Sequence, residues 1–430
     1  MEIKPVFRAL GEGVTGLFLQ TDRFKTRRVT ISLALPIEKE RSACMAMLSR
    51  LLTRSSEAYP SHILLSRRLA DMYGAGFASH VMRVGDNEVL NLSAAVLEDD
   101  YALEGEPLSR WCDELVQGAL FAPHMAGGLF DTEEFESEKR QLIEYVEGLL
   151  NDKRSYALEQ AQQMLFPGQP AGVPDCGGRA AAAAVTNAAV SAFWSELLRT
   201  AKVQITVIGR RPPEELYRSL QKALEDFGRQ YRPCPPTLVE GPREQINERV
   251  EPMAIAQGKL VMGFLTGVGQ GASPDETAAM RMMTDLWGGA PYSRLFTVVR
   301  EQMSLCYYCA ARYQTVKGAV MVDSGIEVDN VERAKEGILS QLAVMQQGGF
   351  DDAALEASRK GLCDSARGVG DSAVQTEGWY LHRMFDPSPD TPEDFIRRIE
   401  TMTREDIAAA AQKVGLGAVY FLRGEGAPTA

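Results

Sequence analysis

The sequence predicts an α+β fold of two related domains, each a largely antiparallel sheet with helices packed on one face, and three observations carry that prediction. Strands alternate with pairs of helices in both halves of the 430-residue chain. The halves close alike, each with a threonine cap, a helix, a short turn and a strand. They also open alike, with a strand, a turn and a helix. A chain of this length exceeds what one hydrophobic core usually holds, so two domains is the natural count. With 45% hydrophobic and 24% charged residues, it has the composition of an ordinary globular protein.

Along the first half, GVTGLFLQ and RRVTISLALP read as strands. A helix follows from about Glu38 to Leu52, with Met45, Leu48 and Leu51 at helical spacing on one face. A second helix begins after the Tyr-Pro-Ser at 59–61 and ends near MYGAG. FASHVMRVG and EVLNLSAAVL alternate as a hairpin pair does, and helices follow around Tyr101 to Leu120 and Glu133 to Leu150. Thr186 caps the helix NAAVSAFWSELL, and the β-branched run KVQITVIG forms the closing strand.

The breaker cluster Pro233 to Pro236, continuing through EGPREQ, marks a linker at 231–245 between domains 1–230 and 246–430. The second half opens with GKLVMGFLTG and the helix ETAAMRMMTDLW, mirroring TISLALP and ERSACMAMLSRLL. It closes with Thr403 capping REDIAAAAQKV and with GAVYFLRG as the last strand.

Charge excludes one class of partner: 46 Lys and Arg against 58 acids give a net −12, which repels nucleic acid phosphates. If some of those acids line a cavity they favour cationic peptides, although most such excess is solvated surface. The N-terminus lacks the blocks of a signal peptide, and no apolar run approaches the ~20 residues that span a bilayer, so a cytoplasmic protein without membrane contact is expected. Seven scattered cysteines read as reduced thiols. Cys306 and Cys309 form a CxxC within LCYYCAA, where strand geometry sends residues three apart to opposite faces, so they read as core packing and not as a metal or redox pair.

The four histidines, His62, His80, His124 and His382, show none of the spacings by which a helix holds zinc. No G-x-S-x-G elbow or Walker loop is present. GVGQGASPDE lies between a strand and a helix, but its spacing is GxGxG, and Pro274, Asp275 and Glu276 fill the helical turn that a phosphate would need.

The segment LFTVVREQMSLCYY, with Arg300 followed seven residues later by Tyr307, resembles the second-domain signature of the pitrilysin, insulinase and processing-peptidase group of zinc metallopeptidases. GGAPYSRLF before it and SGIEVDNVERAKEGI after it resemble the same domain. The first domain departs from the active pattern. Where HxxEH is expected the chain has Ala46, Met47, Leu48, Ser49 and Arg50, and matching ESEKRQLIEYVEG to the later ligand helix keeps Glu138 but puts Tyr145 at the ligand position. YPSHILLSRRLADMYGAGF is similar to zinc-less bacterial members that pair with zinc-bearing sisters.

The resemblance implies two domains forming half of a clamshell and no zinc in this chain. Zinc is expected in a homologous partner subunit, giving a heterodimer that acts on peptides. Tyr307 then stands as a phenol donor to the tetrahedral intermediate and Arg300 as an anchor for the peptide backbone. Without the partner no cleavage is expected. The alternative is an inactive scaffold or peptide-binding protein, with Arg300 an ordinary helix-end residue and Tyr307 a core aromatic.

Overall fold

The computed structural model describes residues 3–386 and 389–424. In chain order the first half contains β1 (Pro5–Gly11), β2 (Val14–Gln20), β3 (Thr26–Pro36), α1 (Lys39–Leu51), α2 (His62–Asp71), β4 (Gly76–Val84), β5 (Asn87–Leu97) and α3 (Leu108–Phe121). A short ribbon, β6 (Met125–Ala126) and β7 (Leu129–Phe130), precedes α4 (Thr132–Gly148), α5 (Lys153–Leu165), α6 (Gly178–Ala184), α7 (Asn187–Thr200), β8 (Lys202–Gly209) and α8 (Glu214–Asp226). The second half runs β9 (Asn247–Met253), β10 (Gly258–Leu265), α9 (Pro274–Thr284), β11 (Cys306–Gln314), β12 (Ala319–Ile326), α10 (Val331–Gln346), α11 (Asp352–Gly368), α12 (Ala373–Leu381), α13 (Pro392–Thr401), α14 (Arg404–Gln412) and β13 (Gly415–Gly424). Between α9 and β11 lie two stretches of π-helix, Asp285–Gly289 and Leu295–Gln302.

The helix boundaries follow local chemistry. Thr186 accepts a hydrogen bond from the Ala189 N–H at the start of α7, and Thr403 and Asp406 form a reciprocal capping box at the start of α14. At α9 the capping box is Ser273 with Glu276, so the first-turn carboxylate does occupy the helix N-terminus behind the GVGQG loop.

The chain divides into two units. The first comprises 1–147, 173–235 and 370–384; the second comprises 148–172, 236–369 and 385–430. The first unit holds a six-stranded sheet in the order β1-β2-β8-β3-β5-β4, and the second a five-stranded sheet in the order β11-β12-β10-β13-β9. In each, one parallel pair (β2 with β8, β13 with β9) is followed by antiparallel neighbours only. The repeat legible in the opening and closing segments is therefore a repeat of topology: β3 matches β10, and β8 matches β13.

One face of the first sheet packs on a helix layer through a core that includes Val29, Ile31 and Leu33 of β3 with Met45 and Leu48 of α1. Met45, Leu48 and Leu51 all lie within it, as their spacing requires. The opposite face is covered by a helix from the second half of the chain. Tyr380 of α12 buries against Leu17, Leu19 and Ile208, and Glu377 of the same helix pairs with Arg28 of β3 at 2.6 Å. The second unit repeats the device in reverse. Its sheet takes α5 from the first half, packing Ala157, Ala161 and Leu165 on Val261 and Leu265, with Arg154 forming a bidentate pair to the buried Asp323 of β12. Contiguous halves at 1–230 and 246–430 do not include this exchange of 148–172 and 370–384.

The proline-rich connection is more firmly held than its composition suggests. On its first side the backbone N–H groups of Gln230 and Arg232 donate to the carbonyls of Arg199 and Thr200, and the Arg229 guanidinium donates to the carbonyls of Leu198 and Ala201. On the second side the Thr237 N–H donates to Gln270 Oε1 at 2.7 Å, and the Leu238 carbonyl accepts from Lys317 Nζ at 2.7 Å.

Candidate functional site

Two places carry the chemistry singled out in the sequence, one in each unit. In the first unit, α1 carries Ser49 and Arg50, and α4 carries Glu138 and Tyr145. Arg50 and Tyr145 stand at positions matched to the family's zinc ligands and Ser49 at the glutamate of HxxEH, and the fold brings Arg50, Glu138 and Tyr145 together. Glu138 is 4% exposed, and its carboxylate faces two guanidinium groups, Arg50 Nη1 at 3.6 Å and Arg54 Nε at 3.2 Å. The Arg50 guanidinium lies over the Tyr145 ring, 5.8 Å from its centroid. Ser49 is buried and its hydroxyl lies 3.0 Å from that of Ser79 on the neighbouring strand β4.

The residues present do not fit a zinc ion. A zinc centre needs three imidazole, thiolate or carboxylate donors converging on one point. Here one carboxylate remains, and guanidinium cations already neutralise it. Arginine cannot lose its proton in a protein, so Arg50 supplies a fixed positive charge that no change of pH converts into a ligand. Among the described residues, no group of three or more His, Cys, Asp or Glu side chains could hold a metal ion.

In the second unit, the segment Gly288–Gly289 to Tyr308 is held from several sides. The Tyr292 hydroxyl donates to Asp285 Oδ2 at 2.7 Å, and Ser358 donates to the same oxygen at 2.6 Å. Burial and this acceptor push the Tyr292 phenol well above its ordinary pKa, so it stays a hydrogen-bond donor. Arg294 forks onto Gln341 Oε1 of α10 at 2.9 and 2.7 Å. Gly288 is required where it stands, because a Cβ there would come within 2.7 Å of both Ala311 Cβ and Leu295 Cδ1. None of these anchors was singled out from the sequence, although Gly288, Tyr292 and Arg294 all fall in the quoted GGAPYSRLF.

Arg300 lies near the end of the π-helix Leu295–Gln302. Its guanidinium stacks on Phe296, four residues earlier, at 4.3 Å, and approaches Glu301 Oε1 at 3.5 Å. The chain then turns tightly through Met303 to Leu305, with Ser304 at a φ of +53°, and enters β11. Tyr307 follows at once. It is 77% exposed, and its hydroxyl has no hydrogen-bond partner among the described residues. Arg300 and Tyr307 thus flank one turn of the second unit without bonding to each other, each presenting a polar group to the surface.

The exposure of Tyr307 has a backbone cause. β11 pairs with β12 as Cys306 opposite Ile326, then Tyr308 opposite Gly325, so Tyr307 is the extra residue of a β-bulge. The Tyr308 carbonyl accepts a hydrogen bond from the Ser324 hydroxyl at 2.8 Å beside the interruption. The bulge also overturns the parity argument for the CxxC. Cys306 and Cys309 stand opposite Ile326 and Ser324, two residues apart on β12 and therefore on one face.

Comparison with known proteins agrees with this geometry. Residues 184–362 match the family model described as the peptidase M16 inactive domain. A curated relative, the probable inactive metalloprotease YmfF of Bacillus subtilis, is 26% identical over 423 residues, covering 96% of this chain and 97% of its own. The crystal structure of a conserved protein from Enterococcus faecalis superposes with a TM-score of 0.89 at 28% identity, over 98% of this chain and 99% of that one. A structure titled as a peptidase M16 inactive domain from Pseudomonas fluorescens shares the fold, with a TM-score of 0.77 at 16% identity over 99% of each chain.

Proposed function

For an M16-family peptidase-like chain without the zinc site, we propose the role of the non-zinc subunit in a heterodimeric zinc peptidase, supplying Arg300 and Tyr307 to the active site of a zinc-bearing homologous partner. The observation that carries this reading is the bulged, outward Tyr307. A phenol that only filled a core would be buried, and one kept for stability would have a hydrogen-bond partner. Tyr307 has neither, although the surrounding segment is anchored through Tyr292, Arg294 and Gly288.

In this role the phenol donates to the oxygen that gains charge as the peptide carbonyl becomes tetrahedral, and the guanidinium binds a substrate carbonyl or carboxylate. The substrate is a peptide. Its backbone finds unpaired N–H and C=O groups along the sheet edges β4 and β11, where strand addition recognises extended chains.

A second reading, an inactive scaffold or peptide-binding protein on the same fold, is favoured by one detail: Arg300 already stacks on Phe296 and faces Glu301, partners that occupy an unused arginine. Affinity purification of the chain from its native cell separates the two. The proposal expects co-purification of a chain of similar length carrying HxxEH, with one zinc per pair and peptidase activity in the complex. Recovery without such a chain, and without activity, supports the scaffold.

A further inference from the structure

The bulge that turns Tyr307 outward is followed at once by a clamp. β11 is an edge strand, bonded to β12 on one side only, so no strand beyond it fixes the extra residue in place. In such a strand a slip of one residue exchanges the two faces and would turn Tyr307 away from its present direction. Tyr308 opposes that slip at three points. Its ring packs on the residue directly opposite, Gly325, where an added Cβ would come within 2.6 Å of Tyr308 Cε1. The Arg154 guanidinium lies over the same ring, 4.5 Å from its centroid, and is itself held by the bidentate pair to the buried Asp323. The Tyr308 carbonyl accepts the Ser324 hydroxyl at 2.8 Å.

We propose that Tyr308 is a positioning residue for Tyr307: its ring, seated on Gly325 and covered by Arg154, fixes the register of β11 and with it the direction in which the Tyr307 phenol points. The assignment rests on the reading of Tyr307 as a donor to the tetrahedral intermediate. The two neighbouring tyrosines then divide their chemistry in opposite ways. Tyr307 is 77% exposed and works through its hydroxyl. Tyr308 works through its ring, because its own hydroxyl is buried without a hydrogen-bond partner among the described residues, an unfavourable place for a group that served as donor.

The chain entering the strand is held as closely. The Leu305 N–H donates to the Val299 carbonyl, and the Ser304 hydroxyl donates to the Glu301 carbonyl with Ser304 at a φ of +53°. Tyr307 is thus fixed from the turn on one side and from Tyr308 on the other. Only the Tyr308 side lies beyond the bulge, so only there does a loss of grip let the extra residue migrate.

Two measurements test the assignment. In the isolated chain, Tyr308→Ala should speed amide hydrogen exchange across 306–310, whereas Tyr308→Phe, which keeps the ring, should match the parent. In the complex reconstituted with a zinc-bearing partner, assayed with an internally quenched peptide selected from a random library by the parent complex, Tyr308→Ala should lower kcat about tenfold with KM unchanged. A misplacement of about 1 Å can cost up to about 10²-fold, which is also roughly the whole contribution of one oxyanion donor. Tyr308→Phe should restore kcat. The loss must also pass through Tyr307: the double variant Tyr307→Phe with Tyr308→Ala should be no slower than Tyr307→Phe alone, whereas a merely structural role would add its own loss. If Tyr308→Ala prevents the complex from forming, Ser324→Ala, which removes the bond to the Tyr308 carbonyl, takes its place and should show a smaller loss with the same dependence on Tyr307. Unchanged kcat in Tyr308→Ala beside a large loss in Tyr307→Phe, an added loss in the double variant, or failure of Tyr308→Phe to restore either readout would overturn the assignment and leave the reading of Tyr307 standing. No loss in Tyr307→Phe itself would overturn both.

Discussion

At the residue scale, the buried Glu138 carboxylate of the first unit is neutralised by fixed guanidinium charges. Glu138 still sits where α1 meets α4, but its partners are Arg50 and Arg54. Removing one member of such a group strands the others. Glu138→Ala should therefore destabilise the chain by about 2 kcal/mol, below the 3–5 kcal/mol of a fully buried pair because both arginines retain some solvent. A urea titration that shows no change would mean that the guanidinium groups are solvated well enough to stand alone. The reverse change, Ala46→His with Arg50→His, should not restore a stoichiometric zinc site, since Tyr145 still lacks a donor of the required kind. Inductively coupled plasma analysis after dialysis checks both chains, and one retained zinc in either would contradict the ligand assignment.

At the element scale, the exchange of α5 and α12 governs how the chain comes apart. Each helix covers the sheet face that the other half of the chain leaves bare, and each is fixed there by an ion pair, Arg154 to Asp323 and Arg28 to Glu377. Glu377→Gln leaves the Arg28 guanidinium, 15% exposed, without its counter-charge and should cost about 2–3 kcal/mol, seen as a lower thermal midpoint. The linker behaves differently from what its prolines suggest. Residues 229–238 are hydrogen-bonded on both sides, so limited proteolysis should spare them and cut first at exposed loop tips such as Leu103–Gly105, where Leu103 is 84% exposed. Sequencing the first fragments decides between the two. The element pattern was legible where periodicity and caps are local properties, as at Met45, Leu48 and Leu51, Thr186 and Thr403. Neither helix exchange was legible, because amphipathic spacing shows that a face is apolar and not which sheet it covers. The β11 bulge was equally hidden, since one inserted residue reverses strand parity without any change in composition.

At the scale of the whole molecule, the first unit carries an arginine–carboxylate cluster and the second carries Arg300 and the exposed Tyr307 phenol on an anchored segment, on which the proposed role rests. Among the described residues, no helix is long and apolar enough to cross a membrane. The central claim is that Tyr307 acts on a substrate held by a zinc-bearing partner, and steady-state kinetics of the reconstituted pair with Tyr307→Phe test it most directly. Among the described residues the exposed hydroxyl has no bond to lose, so the melting temperature should stay unchanged while kcat falls by roughly 10²-fold. An unchanged kcat, with zinc fully occupied in the partner, would contradict the account and leave this chain a scaffold.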